Sequence, residues 1–235
     1  MKYRHEQIDL MYRELRALNR AVDWAGRSFE DFDLRGFLEQ ALSMLTFSSA
    51  QPHALEYGTG TGAGACFLAA RGFRVHAIDV SPTAIELAKK FAAERKLQVH
   101  FEMGDIGSFS PPKRAYDLAV DNFCMQCLVT DVERETALGM VRLILKGDGR
   151  FLIGSVVYRD GRDFGEGVFD ERTGILYVRL EGDAERYEDA VRLNGCWYFP
   201  RRRYVRPAVL RTEVERAGFT VLWQEGGRVI CAPAN

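Results

Sequence analysis

The segment that decides the fold class is Ala54-Leu55-Glu56-Tyr57-Gly58-Thr59-Gly60-Thr61-Gly62-Ala63-Gly64. Its apolar start is typical of a strand, and its alternating glycines lead into a helical pattern. Glycines at such a turn let the chain bend sharply and let a ligand contact the backbone beside a helix N-terminus. We therefore expect a nucleotide-like cofactor here. The loop alone leaves its identity open, because Gly60 to Ala65 also fits the G-x-G-x-x-A pattern of dinucleotide-binding proteins.

An acidic residue lies at the end of each of three successive predicted strands. Glu56 precedes the glycine loop, where a carboxylate repels a pyrophosphate but attracts a cationic amine or sulfonium. Asp79 is placed for both hydroxyls of a ribose, and Asp105 is placed to accept from an adenine amino group. Because the carboxyl ends of parallel strands line one crevice, the three acids predict a single ligand site.

From His53 onward, short apolar runs alternate with helical patterns, which indicates βαβ units and a mostly parallel sheet. The predicted strands are His53–Tyr57, Arg74–Val80, Leu97–Met103, Tyr116–Asp121 and Arg150–Val157. The predicted helices between them are Gly62–Arg71, Pro82–Arg95, with Ser81 as its N-cap, and Asp131–Leu145. After a helix at Pro207–Ala217, the runs Phe219–Gln224 and Arg228–Ala232 flank two glycines and predict an antiparallel hairpin.

The chain divides into three predicted parts. Residues 1–50 form a helical N-terminal cap, whose second helix has Asp33 as a candidate N-cap. The first helix of this cap carries an apolar stripe of Ile8, Met11, Leu15, Leu18 and Val22. Residues 51–157 and 207–235 form the cofactor-binding core. Residues 158–206 are too long for a simple connection and are predicted to be an insertion that acts as a lid or substrate-binding element.

The insertion interleaves aromatic side chains with arginines, which suits a flat or anionic acceptor because guanidinium stacks on rings and binds carboxylates. Tyr198 and Arg201 are its candidate substrate contacts, and Ile175 to Leu180 is predicted to be a strand. Its glycines favour a mobile lid, although a rigid extra sheet layer that buttresses the core is the alternative interpretation.

The sequence resembles the class I S-adenosylmethionine-dependent methyltransferases of the small-molecule type. The resemblance rests on the loop Glu56 to Gly62, on Asp79, on the Gly104-Asp105 pair and on Tyr116 to Asp121, in the family's order and spacing. It implies a Rossmann-like α/β fold whose seven-stranded, mostly parallel sheet ends in a C-terminal antiparallel hairpin. It also implies S-adenosyl-L-methionine as cofactor and methyl transfer to an O, N or S atom of a small molecule.

The resemblance assigns roles to individual residues. The loop glycines let the backbone approach the cofactor, Glu56 orients the loop, and Asp121 lies where cofactor and acceptor meet. Asn122 and Phe123 are implied acceptor contacts. The implied cofactor-binding residues are Glu56, Gly58, Thr59, Gly60, Gly62, Asp79, Val80, Asp105, Ile106 and Asp121.

The catalytic residues stay open at this point. The segment after the fourth strand lacks both the histidines that family members often carry there and the Asn-Pro-Pro-aromatic motif of amide- and adenine-directed enzymes. Asp121 and Tyr198 are the candidate bases. Three alternatives remain: a nicotinamide-dependent oxidoreductase, a non-catalytic S-adenosylmethionine-binding protein, and thiol or arsenite methylation through Cys124 and Cys127.

Composition narrows the class of partner. The 235 residues carry a formal charge of −1, so no basic field attracts nucleic acid, and no apolar run approaches the roughly 20 residues that span a bilayer. Five cysteines predict free thiols and a cytoplasmic protein. The Cys124 and Cys127 pair supplies half of a usual zinc site, and His53, His76 and His100 are interpreted as structural, so no metal is predicted. The sequence makes no prediction of oligomeric state.

Overall fold

The computed structural model describes residues 3–18 and 27–234, and they form six α-helices, two 3-10 helices at Met125–Cys127 and Ala184–Arg186, and two sheets. The helices are α1 (Tyr3–Ala17), α2 (Arg35–Met44), α3 (Ala63–Ala69), α4 (Pro82–Glu94), α5 (Asp131–Ile144) and α6 (Pro207–Arg216). The strands are β1 (His53–Tyr57), β2 (Arg74–Asp79), β3 (Val99–Met103), β4 (Tyr116–Asn122), β5 (Leu145–Gly154), β6 (Val168–Asp170), β7 (Ile175–Arg179), β8 (Val191–Leu193), β9 (Cys196–Arg203), β10 (Phe219–Glu225) and β11 (Arg228–Pro233).

The larger sheet has seven strands in the order β10-β11-β5-β4-β1-β2-β3. Strands β1 to β5 pair in parallel, whereas β11 runs antiparallel to both β5 and β10. The predicted fold class is therefore confirmed: a Rossmann-like α/β sheet that ends in an antiparallel hairpin.

Both faces of this sheet are covered, as the burial of the central strands requires. Side chains alternate along β4, so Leu118 and Val120 pack with α2, α3 and α4, while Ala119 packs with α5 and α6. Strand β4 ends at the edge of the sheet where the loops begin. Sheets of this kind bind their ligands at that edge.

Helix α4 begins as predicted. The Ser81 hydroxyl accepts from the Ala84 amide at 3.0 Å, and Pro82 occupies the first turn, where a missing N–H costs nothing. Helix α5 begins with a capping box between Thr130 and Glu133. Hydrogen bonds from neighbouring side chains thus determine where each of the two helices begins.

Two local predictions were wrong. Asp33 does not cap α2; Leu34 is the N-cap residue, and the Asp33 carboxylate accepts instead from Arg27. Strand β5 begins at Leu145 rather than Arg150, because α5 passes into it without a loop, and it ends at Gly154, where pairing with β11 begins. Val22 of the predicted stripe lies outside the described residues.

The segment 158–206 contains the second sheet, with the antiparallel order β6-β7-β9-β8. The predicted strand in this segment is present as Ile175–Arg179. Strand β9 contains a β-bulge: Leu176 of β7 pairs with Arg202 and the next residue pairs with Pro200, so Arg201 is the extra residue.

Helix α1 connects the two sheets. The Asp9 carboxylate accepts from the Ser81 hydroxyl at 2.6 Å and from the Thr83 amide at 3.1 Å, which fixes α1 to the start of α4. At the N-terminal end of α1, Asp189 accepts from the Tyr3 amide at 2.7 Å and Glu6 accepts from the Tyr187 hydroxyl at 2.6 Å. Within residues 3–18 and 27–234, no helix is long and apolar enough to cross a membrane.

Candidate functional site

A cavity of about 550 Å³ lies between the carboxyl ends of β1, β2 and β4, helix α1 and the second sheet. We call one side the loop wall, formed by residues 58–61, 79–80 and 104–106, and the opposite side the arginine wall, formed by Phe199, Arg201 and Arg202. Tyr3, Arg4, Ile8, Met11 and Tyr12 of α1 close the space between the walls. The volume is within the range of ligand sites for small molecules and cofactors.

The glycine loop adopts the left-handed conformation that its sequence predicts. Gly58 has a φ of +67° and Gly60 a φ of +55°, values that strain other residues. A Cβ atom on Gly60 would lie 2.6 Å from the Tyr12 hydroxyl, so the loop backbone and α1 approach each other closely here. The loop is therefore shaped both by its turn and by the helix above it.

Asp79 lies at the end of β2 with its carboxylate buried on the loop wall. It accepts from the Gly60 amide and from the Ser81 amide, both at 2.9 Å. Burial raises its pKa to about 6, although these amide hydrogen bonds oppose the shift. The Val80 amide also donates to this carboxylate. A carboxylate has about four acceptor sites, so Asp79 can still receive a hydroxyl donor from a ligand.

Glu56 lies beneath the loop and does not line the cavity. Its carboxylate accepts from the Thr59 hydroxyl, from the Ala65 amide and, at 3.2 Å, from the Asn122 side chain. Burial raises its pKa to about 7. Glu56 thus connects β1, the loop, α3 and the end of β4, which is a geometry suited to holding the loop.

Asp121 and Tyr198, the two candidate bases, both lie off the cavity lining. Asp121 is buried, and it accepts from the Cys124 and Met125 amides at 3.0 and 2.9 Å, which holds the turn after β4. Burial raises its pKa to about 7. Tyr198 neighbours Phe199 on β9, and strand alternation turns the two side chains to opposite faces.

The structure brings most of the other predicted site residues to one cavity. Gly62, like Glu56, supports the loop without lining the cavity. The residues that do line it are Gly58, Thr59, Gly60, Asp79, Val80, Asp105, Ile106, Asn122, Phe123 and Arg201.

Tyr12 is a cavity residue that the sequence analysis missed. Its ring is buried, and burial together with the nearby Asp79 carboxyl raises the pKa of its hydroxyl well above the ordinary value. The apolar stripe predicted that α1 is a helix but not which side chains face the cavity. Ile8 and Met11 flank the cavity, and Tyr12 points at the glycine loop. The acidic Asp9 inside an otherwise apolar face was the available signal, since it fixes the helix to α4.

The sequence also missed Arg202 as an individual site residue, although the arginines of this segment were predicted to suit an anionic acceptor. Its guanidinium lies near Tyr12 and Cys127, and it lowers the pKa of both groups against the larger effect of burial. In the part of the chain that the structure describes, neither Arg201 nor Arg202 forms an ion pair with an acid. The β-bulge accounts for two consecutive arginines on one wall.

Cys124 and Cys127 both line the cavity at the turn after β4. Burial raises the pKa of both thiols. They are therefore protonated near neutral pH, which disfavours a thiolate nucleophile or thiolate metal ligands at this place.

The core of the chain is similar to known methyltransferases. The family described as "Methyltransferase domain" matches residues 54–149. A 2-heptyl-1-hydroxyquinolin-4(1H)-one methyltransferase from Mycobacteroides abscessus is 29% identical over 109 residues, which are 46% of this chain and 48% of that protein. The chain spans about half the length, or less, of the curated relatives it matches.

Solved structures share the fold over nearly the whole chain. The CcbJ methyltransferase from Streptomyces caelestis is 18% identical, with a TM-score of 0.66 over 100% of this chain and 99% of that one. An S-adenosylmethionine-dependent methyltransferase from Clostridium acetobutylicum is 14% identical, with a TM-score of 0.64 over 95% and 99% of the two chains. At these identities the likeness is one of fold.

Proposed function

We propose that the protein is a class I, S-adenosylmethionine-dependent methyltransferase that transfers the methyl group to an O, N or S atom of a small molecule, since residues 54–149 match a methyltransferase domain. The observation that carries the proposal is the single cavity shared by the loop wall and the arginine wall. The first wall suits the cofactor and the second suits an acceptor.

The residues of the loop wall fit the cofactor. We assign the ribose hydroxyls to Asp79, whose carboxylate keeps acceptor capacity beside its backbone partners, and the adenine to Val80, Asp105 and the Ile106 amide. Glu56 acts indirectly: it holds the loop that Gly58 and Gly60 open toward the cavity. A cationic cofactor also favours the ionised form of these buried acids.

The bound cofactor supplies a sulfonium-activated methyl group for direct displacement. The protein's task is to align the acceptor atom with that methyl group and to exclude water. Helix α1 contributes to both, because it bridges the two sheets and places Tyr12 over the glycine loop. We do not assign the role of general base to Asp121 or Tyr198, because neither side chain lines the cavity.

The arginine wall supports a flat, anionic acceptor. Phe199 offers a ring face, and Arg201 and Arg202 offer guanidinium groups that bind carboxylates or ionised hydroxyls and stack on rings. The similarity to a methyltransferase named for a hydroxyquinolinone, a flat heteroaromatic compound, supports the same class of acceptor.

The test is formation of S-adenosylhomocysteine from S-adenosylmethionine with a panel of small acceptors. The panel pairs hydroxylated aromatic acids with their esters, and it includes arsenite and simple thiols. We expect turnover with the anionic aromatic members and less with their esters. Cofactor binding without turnover across the panel would favour a non-catalytic S-adenosylmethionine-binding protein. Turnover that is confined to arsenite or thiols, and that is lost on Cys→Ser exchange at Cys124 and Cys127, would favour thiol or arsenite methylation.

A further inference from the structure

A second group of chemically active side chains lies outside the cofactor cavity, at the edge of the seven-stranded sheet. His76 of β2 and Glu102 of β3 line a groove there, and His100 of β3 lies next to both of them. The groove lining also includes Ser108, Phe109 and Tyr116. The proposed methyl transfer uses none of them. The sequence alone predicts structural roles for both histidines.

Strand register brings these three side chains together. His76 and His100 are direct partners in the parallel pairing of β2 and β3, so their side chains project from the same face. Glu102 lies two residues beyond His100 and therefore projects from that face too. The register of β2 and β3 therefore places the three side chains on one face of the sheet.

The distances fit a shared ion. The His76 Nε2 atom lies 3.0 Å from a Glu102 carboxylate oxygen, and the His100 Nε2 atom lies 3.7 Å from the same carboxylate. One ligand atom from each residue lies within 4.8 Å of the others. Ligands of a tetrahedral zinc ion, with bonds of about 2.0 to 2.2 Å, are separated by about 3.3 to 3.5 Å, so a small inward movement completes the set.

The imidazole of His76 is already oriented for such a role. Its Nδ1 atom lies 3.0 Å from the Tyr116 hydroxyl, which leaves Nε2 directed at the cluster. Metal-bound histidines are oriented in this way by a hydrogen bond to the other ring nitrogen. His100 and Glu102 are more exposed, so an ion has open access from solvent.

We propose that His76, His100 and Glu102 bind a divalent transition-metal ion of the zinc class, with water in the remaining position. Two imidazoles and one carboxylate match the ligand preference of zinc. Gly104 and Asp105, directly after β3, border both this groove and the cofactor cavity. The ion would therefore clamp β2 to β3 next to the turn that carries Asp105, as a structural site and not as a participant in methyl transfer.

The test is titration of the untagged, full-length protein with Co²⁺, followed by competition with Zn²⁺. We expect one Co²⁺ per chain with the visible absorption of a low-coordinate site, displacement by Zn²⁺, and a higher Tm in Zn²⁺. His100→Ala and Glu102→Gln should abolish this spectrum. Tyr116→Phe, which removes the orienting hydroxyl, should weaken binding by about tenfold.

The matched control is His53→Ala, because His53 lies on β1 outside the cluster. It should bind Co²⁺ like the unsubstituted protein. The proposal fails if no stoichiometric complex forms, if His100→Ala retains it, or if His53→Ala loses it to the same extent. These outcomes are independent of methyl transfer, so the site and the proposed function stand or fall separately.

Discussion

The two walls of the cavity differ in how the chain builds them. The loop wall consists of strand ends that follow one another along the sequence, and its groups act largely through backbone geometry, as at Gly60. The arginine wall comes from β9, far along the chain near residue 200, and its groups are large side chains. Consequently the loop wall tolerates little change, whereas the arginine wall is open to variation.

The most severe disruption of the loop wall should be Gly60→Val. A β-branched residue resists the positive φ at this position, and its Cβ would meet the Tyr12 hydroxyl. We expect cofactor binding to be lost while circular dichroism shows a folded protein. Gly72→Val, at a positive-φ turn with open space around it, controls for backbone strain alone. Cofactor affinity equal to that of the control would show that the loop is only a tight turn.

Asp79→Ala tests the side-chain part of the same wall. It removes the proposed charge-assisted hydrogen bonding to the ribose and the acceptor that holds the Gly60 amide. We expect S-adenosylmethionine binding to weaken by about 1.5 to 3 kcal/mol, or roughly ten- to hundredfold, in calorimetric titration. Glu94→Ala, at the exposed end of α4, should have no effect. Unchanged affinity in Asp79→Ala would falsify the assignment.

Arg202→Gln probes the arginine wall and should separate the two walls kinetically. Loss of a charge-assisted contact should raise the KM for an anionic acceptor by about tenfold, with cofactor affinity within about twofold of the unsubstituted value. Arg192→Gln, on exposed β8 of the same sheet, is the matched control. A change in cofactor affinity as large as the change in acceptor KM would contradict the division into two walls.

The buried acids predict opposite pH responses for stability and for cofactor binding. Burial raises the pKa of Asp79 to about 6 and that of Glu56 to about 7, so the folded, cofactor-free chain holds protons that the unfolded chain releases near pH 4. Their contribution to stability is present below about pH 4 and is lost as the pH rises through about 6 to 7. Tm of the cofactor-free protein should therefore fall between about pH 5 and 8.

Cofactor affinity should rise several-fold over the same window, because the ionised acids are the form that a cationic, hydroxyl-donating ligand prefers. Calorimetry in buffers of different ionisation enthalpy should detect proton release on binding. The Glu56→Gln variant should flatten the fall in Tm. A cofactor affinity that stays constant from about pH 5 to 8 would contradict the ionisation of these acids on binding.

The smallest expected effect concerns motion of the second sheet. We predict that residues 158–206 form a lid that tightens when acceptor joins the cofactor complex, since they supply the arginine wall. Hydrogen exchange in β7 and β9 should then slow on acceptor addition, with β4 unchanged as the internal reference. Strong protection of β7 and β9 in the free protein would favour the rigid buttress instead.

The sequence predicts the loop wall well because its determinants are local. Strand β1, the glycine turn and the cap Ser81 each depend on neighbours within a few residues. It fails for Tyr12 and Arg202, because their positions depend on how α1 docks through Asp9 and on a bulge in β9. Asp33 failed as a cap for a local reason, because its carboxylate pairs with the nearby Arg27 and not with the helix end.

Because of the bulge in β9, the number of arginines in the arginine wall can change without a change in strand register. Arg201 has no partner in β7, while the residues on either side of it keep theirs. Deleting Arg201 would therefore remove one positive charge from the cavity without changing the register of any other pair, whereas a slip elsewhere in the strand would reverse its inward and outward faces. A single-codon insertion or deletion at this position is thus a route by which descendants of the chain could change acceptor preference while keeping the cofactor site intact.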